Sequence, residues 1–368
     1  MLHFLAAAPE SPVCALMREL CFTLAFIDDG ALHLVLARLE IDPERNGGQR
    51  SRENQYSLSH YNASIGVVKD RLESTGLAVH EAIIGVVVNL ASYDLFTDNF
   101  TRWKMHMLGL QKMIQYRGGI HSLNSRYLRV TATWTNLVGS MAIDQDPYFA
   151  LDQADLNKAR HLQDSAPEEP LDVLQRDYPD SAGITVLLKL LLSLSNLVAG
   201  KSELGLSQDL ALMETLHAIV YITLTLPRYN ERAIDSDDPL SSIEATYEAF
   251  RLAMILYLSG PVMFVAGNKF SNPVASHLSW KLSKLLKAHI IDWTGLEQAE
   301  LFVLAFGAVT EVGCGRHWMI VQLNHTIVER GLRWNVLMDN LRSMAWVDIV
   351  WSANLNKLGD DLTHASGS

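Results

Sequence analysis

Cysteine is scarce in this chain, which contains only Cys14, Cys21 and Cys314 among its 368 residues. No two of them form a CxxC pair, and a binuclear zinc cluster needs six closely spaced thiolates. The composition therefore excludes such a cluster within these residues, as well as a disulfide framework. We interpret the three thiols as small core side chains of a protein that works in a reducing compartment.

An excess of basic residues is also missing. The chain has 30 Lys and Arg side chains against 41 Asp and Glu, which gives a formal net charge of −11. Because neutralisation of phosphate dominates nucleic-acid affinity, we expect no direct binding of DNA or RNA. Lys281, Lys284 and Lys287 come closest to a basic run, but their spacing of three places them in one stripe on a helix, which indicates a solvated face.

Long hydrophobic runs are absent as well. A membrane-spanning helix needs about 20 consecutive apolar residues. The apolar stretch 184–198 is interrupted by Lys189, and the stretch 301–309 is too short. No basic region precedes the apolar N-terminal residues, so a secretory signal is not expected. The sequence therefore predicts no membrane contact.

Motifs of known active sites are likewise missing. The chain contains no HExxH, GxSxG, Walker or GxGxxG pattern, and the His80-Glu81 pair lacks the second histidine of a zinc protease. Gly313, Cys314 and Gly315 are interpreted as a tight helix end rather than as a nucleophile, because nothing in the sequence activates the thiol. We therefore predict no catalytic residue, no cofactor and no metal.

Acidic pairs in a helical protein leave one enzymatic alternative, a magnesium-dependent enzyme similar to terpene synthases. Such enzymes hold magnesium with carboxylates one helical turn apart. Asp28 and Asp29 lack the third acid of the first motif, and Asp238, Ser241 and Glu244 approach the second motif with the glutamate one residue early. Caps and surface turns explain the same acids more simply. A further alternative is a scaffold that senses a metabolite in a pocket between helices.

What the chain does have is apolar residues at helical spacing. Leu58, Tyr61, Ile65, Val68 and Leu72 step by three and four, which predicts a helix with one core-facing stripe. The segment that follows, 79–90, is apolar on most of its circumference and predicts a buried central helix.

A third apolar stripe has recognisable ends. It lies between Asp98, the expected N-cap, and the glycine pair 118–119, the expected C-terminus. Asn124 or Ser125 is expected to begin a fourth helix, which continues to about residue 143. The apolar positions of the third stripe are Trp103, Met107, Leu110 and Ile114.

Beyond residue 150 the helical periodicity is interrupted. Acidic residues and three prolines alternate between 151 and 182, which predicts an exposed connection. Pro261 should kink or end a later helix, and 235–239 should form a surface turn. Because strand alternation and hairpin turns are absent, we predict an all-α fold, a single large multi-helix domain of bundle-like type. The later helices are predicted over 183–199, 209–226, 240–264, 274–291, 296–312, 318–331 and 334–350.

The segment 103–119, WKMHMLGLQKMIQYRGG, is the most specific feature of the sequence. It resembles the W-x-x-H-M-x-G-L-x-x-M-V-x-x-R-G-G signature of the fungal-specific transcription factor domain family, with Ile114 in place of valine. Segments 123–149, 248–258 and 300–347 resemble later blocks of that family. The matching positions, with the tryptophan of the following block, are Trp103, His106, Met107, Gly109, Leu110, Met113, Arg117, Gly118, Gly119 and Trp134.

These signature residues are interpreted as structural rather than catalytic. Gly109 is expected to admit a neighbouring helix, and Gly118 to adopt the left-handed cap. Arg117 is expected to bond carbonyl groups near a helix C-terminus. For His106 we expect a buried, hydrogen-bonded side chain.

The resemblance implies the regulatory domain of a zinc-cluster transcription factor. In that family the domain follows an N-terminal zinc cluster, whereas residues 1–37 here already resemble the entry to the domain, so we expect the DNA-reading cluster to be absent. The protein would act in the nucleus through other transcription regulators, a full-length zinc-cluster relative or a second copy of itself, in a secondary-metabolite or nutrient pathway. The expected layout is an entry segment 1–54, signature helices 55–150, a connection 151–182 and C-terminal helices 183–368.

Overall fold

The regular structure of the chain is helical throughout the part that the computed structural model describes. This confirms the predicted all-α class. The chain divides into two compact units, unit 1 with residues 1–152 and 265–273, and unit 2 with residues 153–264 and 274–368. The structure describes residues 12–41, 53–73, 80–151, 153–164, 182–202, 205–206, 208–229, 242–265, 272–311 and 313–366.

Unit 1 is built around one apolar helix, α4. It packs against each of the other five α-helices that the structure describes in this unit, and its residues from Ile83 to Leu95 are all buried. The predicted buried central helix is therefore confirmed. The helices of unit 1 are α1 (Pro12–Ile27), α2 (Asp29–Glu40), α3 (Gln55–Glu73), α4 (Glu81–Phe96), α5 (Phe100–Arg117), a 3-10 turn (Ile120–Ser122) and α6 (Arg126–Ile143).

The apolar stripe predicted for α3 is only partly right. Leu58, Ile65 and Leu72 are exposed, although the sequence assigns them to the core. Because residues seven apart drift only slightly around a helix, these three share a strip that lies beside the buried one. The helix is rotated about its axis so that the Tyr61 hydroxyl reaches Asp94 of α4 and His106 of α5. The buried residues of α3 are Ser57, Tyr61, Ser64 and Val68.

The ends of α5 and α6 differ from the prediction at one residue. Asn99, not Asp98, caps α5, and its side chain accepts a hydrogen bond from Arg102 N at 3.2 Å. Asp98 has φ 57° in the tight turn after α4, a backbone conformation that aspartate tolerates. Ser125 caps α6 as expected, and Asp144 ends it in the left-handed conformation.

Unit 2 contains the longest helix of the chain's described part, α10. Pro261 lies inside this helix and does not end it, because the helix continues to Val265. The helix is long and apolar enough to cross a membrane, which the sequence analysis overlooked, but 89% of its most apolar window is buried inside the structure, as in a core helix. The described helices of unit 2 are α7 (Gln153–Asp164), α8 (Ala182–Val198), α9 (Leu210–Thr225), α10 (Ser242–Val265), α11 (Pro273–Ala288), α12 (Glu297–Thr310), α13 (Cys314–Glu329), α14 (Trp334–Met344) and α15 (Ser352–Ser366).

The structure differs from the predicted connection 151–182 in its first part. Residues 153–164 form α7, which packs against α8 and α9. Leu156 and Ala159 supply its buried stripe, and two apolar positions in a polar helix give too weak a periodic signal to detect. The remainder of that connection, 165–181, and the turn predicted at 235–239 lie outside the described residues.

The helix predicted over 334–350 is shorter than expected, because α14 ends at Met344, just before a contact with α10. The hydroxyl of Tyr257 accepts a hydrogen bond from Trp346 N at 3.0 Å, and it lies 3.3 Å from Trp346 O, to which it donates. Both backbone groups are thereby diverted from a helix, so α14 ends at Met344. The chain then turns at Trp351, whose indole packs on Gly260 of α10, and continues as α15.

Candidate functional site

The tryptophan of the signature packs into a gap on α6. Trp103 is completely buried, and a Cβ atom added to Gly139 would lie 2.1 Å from its Cζ2 atom. Tyr148 completes the pocket with an edge contact at 5.5 Å between ring centroids. The close approach of Trp103 to α6 therefore depends on Gly139, a glycine that was not predicted from the sequence.

Gly109 does not have the role predicted for it. A Cβ atom added at this position would meet no atom within 4 Å, so no described neighbouring helix approaches it. The other apolar signature side chains do face the core of unit 1. These buried residues are Met107, Leu110, Met113, Ile114 and Trp134.

The C-terminus of α5 is fixed by its glycines and by one glutamate. Gly118 is the left-handed C-cap, with φ 97°, as the sequence predicts, and Gly119 follows with φ 111°. Arg117 donates to Glu81 Oε1 at 2.9 Å and to the carbonyl of Ser122 at 3.3 Å.

Glu81 also binds the backbone that leads into α6. Its Oε1 accepts from Asn124 N at 2.7 Å, and its Oε2 accepts from Ser125 N at 3.2 Å. One carboxylate therefore joins the start of α4, the end of α5 and the start of α6. Arg117 bonds a carbonyl as expected, but its charged partner could not be identified from sequence.

A polar cluster lies beneath the signature helix, formed by Glu53, Tyr61, Asp94, Arg102 and His106. The Tyr61 hydroxyl lies 3.1 Å from Asp94 Oδ2 and 2.8 Å from His106 Nε2. A hydroxyl has one proton, which Tyr61 donates to the carboxylate. His106 Nε2 then donates to the tyrosine oxygen, which fixes the Nε2–H form of a neutral imidazole.

Arg102 supplies the charge that balances Asp94. Its Nε lies 2.8 Å from Asp94 Oδ1, and its Nη2 lies 2.7 Å from Glu53 Oε1. The guanidinium also stands over the Tyr61 ring, with Cζ 4.3 Å from the centroid. This cluster ties α3, α4 and α5 together, and the predicted hydrogen-bonded His106 is one part of it.

Burial shifts the protonation of the cluster. Desolvation raises the pKa of Asp94 to about 7, against the attraction of Arg102. Desolvation, helped by the charge of Arg102, lowers the pKa of His106 to about 4. The pKa of Tyr61 is raised by burial and by the charge of Asp94. These directions follow from placing ionisable groups in a poorly solvated interior.

The centre of the cluster is shielded from solvent, although Glu53, Arg102 and His106 keep part of their side-chain surface exposed. Asp94 has no exposed side-chain surface, and Tyr61 is buried. An open groove of about 340 Å³ in unit 1 is lined by α1 and by the starts of α4 and α6, and no cluster residue lines it. Shifted pKa values often accompany catalysis, but buried ion-pair networks produce them too. We therefore interpret the cluster as a structural tie between three helices.

Unit 2 has a buried ion pair in the segment that resembles a family block. Arg251 donates from Nη2 to Glu248 Oε1 at 2.7 Å and from Nε to Oε2 at 3.0 Å, and neither side chain is exposed. Both residues lie on α10, three positions apart. Such a pair satisfies both charges only while both partners are present.

The acids behind the enzymatic alternative have other roles where they are described. Asp28 caps α2 by accepting from Ala31 N at 3.2 Å, and it forms an ion pair with Arg71 of α3. Within the described ranges, no group of three His, Cys, Asp or Glu side chains has a geometry that could hold a metal ion. Residues 237–241 of the second motif lie outside those ranges.

The family is decided by a comparison of the whole chain with family models. The model of the fungal specific transcription factor domain matches residues 5–288. The chain belongs to this family. No curated protein and no solved structure gives a significant match. Membership assigns the chain a role in transcription regulation.

Sequence reasoning found the signature of the fungal specific transcription factor domain but missed the residues that hold its helix. Asp94, Arg102 and Glu53 carry the charges around His106. Glu81 binds the chain at the C-terminus of α5, and Gly139 leaves room for Trp103 near its start. A buried aspartate within the apolar α4 was the available signal, because an isolated carboxylate rarely enters a core without partners.

Proposed function

We propose that residues 1–368 are a regulatory module of a transcription regulator and that this module acts through protein partners without binding DNA. The observation that carries the proposal is that the side chains of the family signature serve packing. Trp103, His106 and Arg117 direct their functional groups into contacts within unit 1. A segment that serves packing identifies a scaffold, whose function lies in what its surface binds.

Charge supports the absence of direct DNA binding. The net charge is −11, and the lysine stripe of α11 is the closest that the sequence comes to a basic run. Lys284 and Lys287 of that stripe are exposed, and Lys287 stands 5.2 Å from the ring centroid of Trp318. Three spaced cations are too few to offset the net negative charge of the chain.

The module is proposed to work in the nucleus on another transcription regulator, with a zinc-cluster relative as the first candidate. Its target genes are proposed to belong to a secondary-metabolite or nutrient pathway. Transcript profiling after deletion of the gene tests the pathway. Imaging of a fluorescently tagged chain tests the compartment, and exclusion of the tagged chain from nuclei would contradict the proposal.

A reporter experiment tests the regulatory role. The full chain is fused to an unrelated DNA-binding module upstream of a reporter gene in a fungal host. We expect transcription to change several-fold relative to the DNA-binding module alone, and Trp103→Ala to abolish the change. The matched control is Trp280→Ala, since Trp280 is half exposed. Identical reporter output with and without the chain would contradict a regulatory role.

Direct binding is tested with labelled duplex DNA and the full chain. At physiological salt we expect no complex at protein concentrations up to about 10 µM. A tighter complex that weakens steeply with added salt and is lost on Lys284→Glu would show that the module contacts DNA itself, and that part of the proposal would be wrong.

A further inference from the structure

The solvent-facing side of α5 is more apolar than a solvated helix face requires. Tyr116 is 84% exposed, Met105 is 61% exposed and Leu108 is 50% exposed. With Gly109 and Lys112 they recur at intervals of three and four residues, so they form one stripe, which spans about 16 Å of helix. We name these five residues the α5 stripe. Its members occupy the face opposite the buried Trp103, Met107 and Leu110.

Gly109 is the unexplained member of the stripe. A glycine within a helix costs about 1 kcal/mol of helix stability relative to alanine. Nothing within the described structure requires it, because its φ is not positive and a Cβ atom would meet open space. It occupies a signature position all the same. A helix surface that lacks one side chain between Met105 and Lys112 lets another backbone approach closely.

The charged side chains that α5 itself carries are of one sign. Helix α5 has four basic residues and no acidic one, although the whole chain has a net charge of −11. Arg102 and Arg117 are held by Glu53, Asp94 and Glu81. Lys104 and Lys112 are exposed, and neither forms an ion pair with a described residue.

We propose that the α5 stripe is the docking surface for an acidic amphipathic helix of another protein, which packs its apolar face over Gly109 and places carboxylates beside Lys104 and Lys112. This proposal rests on the proposed function, since it names the kind of partner through which the module acts. A second copy of α5 fits less well, because it would bring the same two lysines to the interface. Complementary charge also favours encounter with an acidic partner.

The experiment titrates the full-length chain into a labelled, helix-forming peptide of about 16 residues with leucines in one stripe and glutamates beside it. We expect a dissociation constant on the order of 10 µM that weakens with added salt. A peptide with lysine in place of each glutamate should bind at least about tenfold more weakly.

Variants locate the binding surface. Lys112→Glu and Tyr116→Ala should each weaken acidic-peptide binding about tenfold. Their matched controls are Lys284→Glu and Tyr56→Ala, which change exposed residues of the same type elsewhere. Gly109→Leu should also weaken binding about tenfold while the midpoint of thermal unfolding stays level or rises, because leucine favours helix and has room there. This combination separates blocked docking from misfolding.

Three results would overturn the proposal: equal affinity for the acidic and basic peptides, no binding of the acidic peptide below about 1 mM, or a dimer in sedimentation that Tyr116→Glu dissociates. The last result would assign the stripe to a second copy. If the peptides fail but the reporter responds to the fused chain, only the docking surface is wrong. If the peptide binds as expected and the reporter is silent, only the proposed function is wrong.

Discussion

The indole of Trp103 occupies the space that Gly139 leaves open on α6. A Cβ atom at position 139 would lie 2.1 Å from Cζ2 and 2.2 Å from Cε2 of that ring. Real Cβ atoms do not approach other heavy atoms this closely, so the pair is a fixed geometric requirement of unit 1.

Gly139→Ala is expected to destabilise the chain by about 1–3 kcal/mol, because the added methyl displaces a large buried ring. Chemical unfolding monitored by tryptophan fluorescence measures the change. Gly109→Ala is the control, since its methyl group enters open space and should stabilise the helix. Equal effects of the two substitutions would show that Gly139 is not a packing requirement.

The polar cluster should give two opposite pH dependences. Because the pKa of His106 is lowered to about 4, its contribution to the free energy of unfolding is present above its ordinary pKa near 6.5 and is lost as pH falls towards 4. Because the pKa of Asp94 is raised to about 7, its contribution is present below its ordinary pKa near 3.8 and is lost as pH rises through 7. The shift corresponds to a change of about 3 kcal/mol for His106 and about 4 kcal/mol for Asp94.

Unfolding measured between pH 4 and pH 7 separates the two groups. His106→Gln should be most destabilising relative to the unsubstituted chain near pH 7, with a difference that narrows towards pH 4. Asp94→Asn should show the reverse trend. Differences from the unsubstituted chain that stay constant across this range, in both variants, would mean that neither group titrates as described.

Tyr257→Phe should destabilise the chain by about 1–3 kcal/mol, because it leaves the buried backbone groups of Trp346 without the hydroxyl that binds them. The same substitution at Tyr116, an exposed residue, should have almost no effect on stability. Urea unfolding of the two variants checks this. A loss at Tyr257 no larger than that at Tyr116 would refute the role of the hydroxyl.

The Glu248–Arg251 pair should be strongly coupled. Glu248→Gln or Arg251→Met alone should cost about 3–5 kcal/mol, since each removes one charge of a fully buried ion pair, whereas the double substitution Glu248→Gln with Arg251→Met should cost less than the sum. A double-mutant cycle in unfolding free energy measures the coupling. Additive losses would show that the two side chains act independently.

Local pattern was enough to predict most helices of this protein and several of their ends. Residues 81–90 of the predicted all-round apolar segment lie in the buried α4. Gly118 ends α5 in the left-handed conformation that glycine adopts easily, and the Ser125 side chain caps α6. Such features depend on residues close together in the chain. The α5 signature was also readable, because its residue types recur at a fixed spacing.

Features that depend on distant partners were not predicted correctly. The apolar spacing of α3 places Leu58 and Ile65 in the core, but both are exposed, because α3 turns towards Asp94 so that Tyr61 can donate a hydrogen bond to it. Likewise, α14 ends where Tyr257 binds the backbone, 89 residues away from Trp346.

The helical class, the central helix and the family signature could be predicted from the amino-acid order, because periodicity and capping are properties of neighbouring residues. Tertiary structure decided which glycine admits Trp103, which acids neutralise Arg102 and Arg117, and which side of α5 remains open to solvent. Those outcomes depend on the burial of polar groups against specific partners, and the partners become known only when the helices are packed together.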